Sequence, residues 1–233
     1  MTGDPARLKR QAAEFAVQFI RPGMIVGLGT GSTSAHAVRR IAGLCAKGAL
    51  RDLVVFATSN EVRRDAADLG LALLADDMPS EIDITIDGAD EVDPELNLIK
   101  GGGGALLREK IAAQASRREI IIVDETKLSP RLGTIRPLPV EVLPCGWRSQ
   151  ARYLASLGGR PVLRTASEGV EFRTDQGNFI LDCRFGPIAK PEELARKLDS
   201  RAGIIEHGLF LNLAHDVIVA TRKEIRHLRP PQG

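Results

Sequence analysis

The chain has 233 residues, 43% of them hydrophobic and 27% charged, and carries a formal net charge of +2. That balance suits a globular protein with a sizeable core, and a near-neutral charge with only 4% aromatic residues argues against a nucleic-acid-binding surface. No apolar leader opens the chain and no run of about 18 apolar residues occurs, so neither a secretion signal nor a membrane partner is expected. Cys45, Cys145 and Cys183 are scattered without CxxC spacing, which reads as reduced thiols of a cytoplasmic protein. His36, His207, His215 and His227 make no metal-ligand pattern with them.

Residues 5–20 carry Leu8, Ala12, Phe15, Ala16 and Phe19 at helical spacing and stop at Arg21-Pro22-Gly23. This first helix reads as a packing element. The stretch MIVGLGTGSTSAHAVRRIAG follows as strand, glycine turn and helix. It has no lysine before Ser32, so it is no P-loop. The second strand, LVVFAT, ends in Thr58-Ser59-Asn60 rather than in the acidic residue of a dinucleotide fingerprint. What remains is a hydroxyl-rich cup for one phosphate, built from Thr30, Gly31, Ser32 and Thr33 at a helix start. A tight turn with a helix cap explains the same glycines, and His36 reads as a surface residue.

Residues 61–75 read as a helix leading to a short third strand near Leu71–Leu74. The stretch from Ile82 to Lys110 follows, IDITIDGADEVDPELNLIKGGGGALLREK. Alternating Ile82, Ile84 and Ile86 predict a strand that ends at Asp87, Gly88, Ala89 and Asp90. Lys100 precedes Gly101, Gly102, Gly103 and Gly104, and a helix over 105–116 carries Glu109. Four glycines in a row are entropically costly to order. They suit a backbone that must approach a ligand closely. The apolar run EIIIVD is then a strand covered on both faces, ending in Asp124-Glu125-Thr126-Lys127.

Strand and helix thus alternate over 24–127, which predicts a parallel, doubly wound α/β sheet. GTGST, TSN, DGAD and DETK each follow a strand, so the topology gathers them at one edge, where open α/β sheets bind ligands. From Gly133 the texture becomes β-α-β-β-α-β, the split ferredoxin-like pattern. Asp216–Thr221 reads as a strand rejoining the first sheet, and the basic tail to Pro230-Pro231 as a frayed end. The expected domains are 1–132 plus 207–233, and an inserted α+β domain over 133–206.

The clustered groups suit proton abstraction beside the carbonyl of a sugar phosphate. Glu109 lies on a helix three residues from Leu106 and four from Ala105 and Ala113, so partial burial would tune it as a general base. Lys100, with N–H groups of Gly101–Gly103, suits a developing oxyanion. Asp87 and Asp90 suit sugar hydroxyls, with Asp87 able to shuttle a proton, and Lys127 suits a second phosphate contact. Plainer readings stand beside these. Glu109 would be an exposed helix glutamate, Lys100 and Lys127 surface lysines, and the Asp pair a turn cap. The acidic run of Asp87, Asp90, Glu91, Asp93 and Glu95 is dense enough for weak Mg²⁺ binding, although its spacing fails the EF-hand loop.

Taken in order, GLGTGSTSAHAV, IDGADEVDPELNLIKGGGGALLREK, VDETK, LPVEVLP, GLF and HDVIVAT resemble the ribose-5-phosphate isomerase A family over residues 5–221. The resemblance implies a Rossmann-like domain with a ferredoxin-like second domain. It also implies interconversion of D-ribose 5-phosphate and D-ribulose 5-phosphate through an enediolate, in the pentose phosphate pathway, without metal or cofactor. A cytoplasmic homodimer, in some members a tetramer, is implied as well. By motif position Glu109 matches the family's base. Asp87 matches the residue that assists ring opening and moves protons between the oxygens, and Lys100 the one that stabilises the enediolate. Thr30–Thr33, Asp87–Asp90, Lys100–Gly103 and Lys127 match substrate-binding positions. Leu107 stands where the family often has threonine, and the basic tail is a second departure. Two other classes compete: a sugar-phosphate sensor, which would not require Glu109 and Lys100, and an amino-sugar phosphate deaminase, which would use a histidine absent from these clusters.

Overall fold

The computed structural model describes residues 5–74, 81–166 and 169–230. The chain enters through α1 (Pro5–Val17), β1 (Ile25–Leu28), α2 (Ser34–Ala46), β2 (Val54–Ala57), α3 (Asn60–Asp68) and β3 (Ile84–Gly88). Two short strands, β4 (Glu91–Val92) and β5 (Leu98–Ile99), precede α4 (Leu106–Ala115) and β6 (Glu119–Asp124). Then come β7 (Leu138–Val142), α5 (Trp147–Ser156), β8 (Arg160–Leu163), β9 (Phe179–Arg184), α6 (Pro191–Asp199) and β10 (Ile204–His207). The chain closes with β11 (Leu209–Phe210), β12 (Asp216–Ala220) and β13 (Ile225–Leu228).

These elements form two compact units. The first holds the described residues of Met1–Ala89, Arg108–Lys127 and Leu213–Gly233. Its six-stranded sheet has the order β13-β12-β6-β3-β1-β2, and every pairing is parallel except that of β13 with β12. Strand residues alternate between two apolar layers. Val26, Leu28, Val55, Ala57, Ile84 and Ile86 join α1 and α2 in one. Ile25, Phe56 and Ile82 meet Ala112 and Ala115 of α4 in the other. Helices on both faces are what the continuous apolar strands require. The doubly wound sheet is therefore as the alternation predicts.

Two local expectations change. Around Leu71–Leu74 there is only an isolated bridge, Val55 to Leu73, and no strand. The tail is not frayed over Ile225–Leu228, which pair in register with β12 as an antiparallel edge strand. Pro231 lies outside the described residues. The reason is Asp216, a buried carboxylate that accepts Arg118 Nε at 2.6 Å, His227 Nε2 at 2.5 Å and Arg229 Nε at 2.9 Å. Burial alone would raise its pKa, but these donors outweigh it and hold the carboxyl well below its ordinary value. His227 also packs edge-on against Phe15 and tilted on Phe19.

The second unit comprises Asp90–Leu107 and the described residues of Leu128–Asn212. Its four-stranded antiparallel sheet has the order β10-β7-β9-β8, and α5 and α6 contribute Leu154, Leu194 and Leu198 to a core with Val140, Phe179, Leu181 and Cys183. This is the β-α-β-β-α-β pattern read from the sequence. The unit extends beyond the expected 133–206, because β5 pairs with β11, and Ile99, Leu132 and Leu209 join its core. Two-residue strands have no periodicity to read, so the small sheet β11-β5-β4 left no signal.

Candidate active site

In the first unit the parallel strands bring their C-terminal ends to one edge. Thr30–Thr33 follow β1, Thr58 and Ser59 follow β2, Asp87 is the penultimate residue of β3, and a 3-10 turn, Glu125–Lys127, follows β6. The turn after β1 is shaped by Asp87. A Cβ on Gly29 would lie 2.0 Å from Asp87 Oδ1, so only glycine lets this backbone pass the carboxylate. Asp87 is fully buried, and its Oδ1 accepts Gly88 N–H at 2.6 Å, with Ser34 Oγ at 3.4 Å.

The cup itself is open. Gly31 and Ser32 are exposed, Thr30 and Thr33 half-buried. Thr33 is the N-cap of α2 but makes no side-chain capping bond, while Ala35 N–H donates to Gly31 O at 3.0 Å and ties the turn to the start of this 13-residue helix. Thr30 Oγ1 is fixed 2.9 Å from Thr58 Oγ1. Lys9 Nζ donates to Ser32 Oγ at 2.8 Å, which adds a cation that the sequence reading assigned to a packing helix. Only the packing of α1 on α2 brings it there, and no local pattern marks it. His36 has its pKa lowered by burial and by Arg39, Arg10 and Lys9, which reports a positive field around this helix start. Lys127, half-buried after β6, lies at the same strand-end edge.

Glu109 stands in the first turn of α4 and is 5% exposed, which overturns the reading of it as an exposed helix glutamate. Its helix neighbours Leu106, Ala112 and Ala113 are buried, and so is Lys110. Arg108 Nη1 donates to Asn60 Oδ1 at 3.3 Å, so this turn of α4 reaches the residues that follow β2. Burial of a carboxylate is costly unless its environment compensates it, and it favours the protonated form.

The second unit carries the lysine and the glycine run. Lys100 is 2% exposed, so the surface-lysine reading fails as well, and its Nζ lies 5.4 Å from the Phe210 ring centroid. Asp90 accepts Gly102 N–H at 2.7 Å, and a Cβ on Gly102 would lie 2.7 Å from Asp90 Oδ1. Gly102 N–H is therefore engaged by Asp90 rather than aimed at a ligand, while Gly102 and Gly103 are exposed. The acidic run does not act as one cluster. Glu91 Oε1 accepts Ser129 Oγ at 2.6 Å and Thr134 N–H at 3.0 Å, and Glu91 Oε2 accepts Arg136 N–H at 2.9 Å. Asp93 caps Asn97 N–H at 2.8 Å. Among the described residues the one group with metal-ligand proximity is Asp199, Glu206 and His207, in the second unit. There Leu209 N–H donates to His207 Nδ1, which leaves the proton on Nε2, toward Asp199, where a metal would have to bind.

A model of the family "Ribose 5-phosphate isomerase A (phosphoriboisomerase A)" matches residues 54–224. The chain belongs to the ribose 5-phosphate isomerase A family. It is 53% identical to the ribose-5-phosphate isomerase A of Chloroflexus aurantiacus over 94% of this chain and 92% of that one. The Desulfatibacillum aliphaticivorans protein of the same name is 50% identical over 98% and 99%. Among solved structures, the ribose 5-phosphate isomerase from Plasmodium falciparum superposes with a TM-score of 0.94 at 36% identity, over 97% of this chain and all of that one. The family assigned from the motifs in the sequence is thus the family that the whole chain matches.

Proposed function

We propose that this protein interconverts D-ribose 5-phosphate and D-ribulose 5-phosphate, within pentose phosphate metabolism. The observation that carries the reading is a buried Glu109 on the helix that enters the strand-end edge holding the hydroxyl cup. The family membership of the chain supports the same reaction.

Thr30, Gly31, Ser32 and Thr33, with Lys9 and Lys127, hold the phosphate. Asp87 assists opening of the furanose ring. Glu109 then removes the proton from C2 of the open-chain aldose, and the C2–H pair forms the C1–C2 double bond as the carbonyl π electrons move to O1. Lys100 stabilises the enediolate charge. Transfer of a proton between the two oxygens, with Asp87 as shuttle, and return of the proton from Glu109 to C1 give the ketose. Gly88, Ala89, Asp90, Gly101 and Gly103 complete the substrate contacts, with Gly102 held on Asp90. None of these steps calls on a metal or an organic cofactor. We further propose a cytoplasmic homodimer. The family resemblance is what suggests this assembly, and sedimentation velocity tests it.

The deciding experiment measures turnover of ribose 5-phosphate with EDTA present, for the wild type and Glu109→Gln. Activity is expected to survive EDTA, and kcat to fall by about 10³-fold or more in the variant while substrate still binds. Binding without turnover by the wild type would overturn the isomerase and indicate a sensor. Loss of activity to EDTA would make the carboxylates metal ligands.

A further inference from the structure

We infer that Arg164, clamped by Asp182, is a positioning residue that sets the orientation of the glycine run beside Lys100, an inference that rests on the isomerase reading. A run of four glycines has no side chains with which to fix itself; its backbone closes one turn, Gly104 N–H to Gly101 O at 3.0 Å, and groups outside it must set the remaining peptide orientations. In the second unit, Arg164 does this with its whole guanidinium fork. Nε and Nη2 donate to Asp182 Oδ2 and Oδ1 at 2.9 and 2.5 Å. Nη1 is left to reach the glycine run, donating to Gly101 O at 2.9 Å and to Gly102 O at 3.1 Å. The guanidinium carbon also lies 5.6 Å from the Phe172 ring centroid. Asp182 sits on β9 opposite Pro139 of β7 and Val162 of β8, so the clamp is mounted on the middle of a sheet rather than on a loop.

The consequence follows from peptide geometry. In a trans peptide the N–H points opposite to the C=O of the preceding residue. Holding Gly101 O against Arg164 turns Gly102 N–H the other way, and that N–H is found on Asp90 Oδ2 at 2.7 Å. Holding Gly102 O in the same way turns Gly103 N–H away from Arg164, at an exposed position three residues after Lys100. Arg164 thereby selects Gly103 N–H as the donor offered to the enediolate oxygen, with Asp90 and Asp182 as the two ends of one brace. A lysine has no planar fork and cannot serve both Asp182 oxygens and two carbonyls.

The test uses the full chain carrying Arg164→Ala, Arg164→Lys or Asp182→Asn. Arg164→Ala is expected to lower kcat about 100-fold, the cost of misplacing a transition-state donor, with KM within about 3-fold of wild type. Arg164→Lys is expected to lose nearly as much, and Asp182→Asn about 10-fold. A cavity of about 190 Å³ borders Arg164, Asp182, Asp90 and Gly102, so free guanidinium has room to enter Arg164→Ala and restore part of kcat. Hydrogen exchange gives a readout independent of turnover: Gly101–Gly104 should exchange faster in Arg164→Ala while β7 and β9 keep their protection. Unchanged kcat, a loss confined to KM, or unchanged exchange in the glycine run would each overturn the inference. If Arg164→Ala does not fold, Arg164→Lys and Asp182→Asn decide by the same criteria. A wild type that fails to isomerise ribose 5-phosphate would instead overturn the reading beneath it, while the exchange result would still report on the brace.

Discussion

Two glycine loops carry the proposed substrate contacts, and they are fixed in different proportions by backbone and by charged side chains. The Gly29–Thr33 turn is shaped by backbone constraints: a strand end, a helix start and a glycine that Asp87 does not allow to be anything else. The Lys100–Gly104 run, which precedes α4, closes one turn of its own through Gly104 N–H to Gly101 O at 3.0 Å and is held from outside by charged side chains, Arg164 and Asp90. The difference matches two tasks. A phosphate dianion is the same in substrate, transition state and product, so a turn built by the backbone can serve all of them equally. The oxygen that gains charge only in the transition state needs donors set to a geometry, and side chains can impose one on an otherwise free backbone.

The comparison is sharpened most by Lys100→Met, which keeps the stem and removes the charge. It should lower kcat by about 10²–10³-fold with little change in KM, read by steady-state kinetics. A rise in KM alone would put Lys100 among the ground-state contacts and break the contrast. On the other loop, Lys9→Ala and Ser32→Ala should each raise KM about 5- to 10-fold and leave kcat nearly unchanged. A fall in kcat with unchanged KM would show that the cup also senses the transition state.

The smallest effect is on His36, whose pKa lies below its ordinary value through burial and the cations Arg39, Arg10 and Lys9. A bound phosphate dianion favours the imidazolium, so inorganic phosphate should move this pKa upward in an NMR titration. The sign for stability follows. A depressed histidine favours the neutral form when folded, so the free protein loses a little stability as pH falls below the ordinary histidine range. Bound phosphate should reduce that loss. No movement of the His36 resonance would place the anion away from the α2 start.

What could be read in the sequence depended on whether one segment carried the information. Alternation in Ile84–Ile86 and the unbroken EIIIVD run gave strands, and the parallel order then gathered the clusters without further input. The DGAD turn marked Asp87 as a strand-end carboxylate, and the resemblance of the REK stretch to the family motif, rather than spacing alone, marked Glu109 as the base. Burial of Glu109 was not legible, since it depends on what α4 packs against. Lys9 and Arg164 were missed for the same reason: each acts 23 to 63 residues away in sequence, on Ser32 and on Gly101. The pairing of β5 with β11 goes with a second unit that takes in Asp90–Leu107 besides Leu128–Asn212, rather than 133–206 alone, and two-residue strands announce nothing locally.

The antiparallel β13 also has a bearing on how the chain tolerates being shortened. It is the outer rail of the first sheet, held by Asp216 through His227 and Arg229. Ending the chain near Thr221 would bare the β12 ladder, an apolar strand with buried residues along its full length. Such an uncovered rail is a template for another chain. The strand β13 thus acts as a selvedge, a finished border that keeps one molecule from being woven into the next.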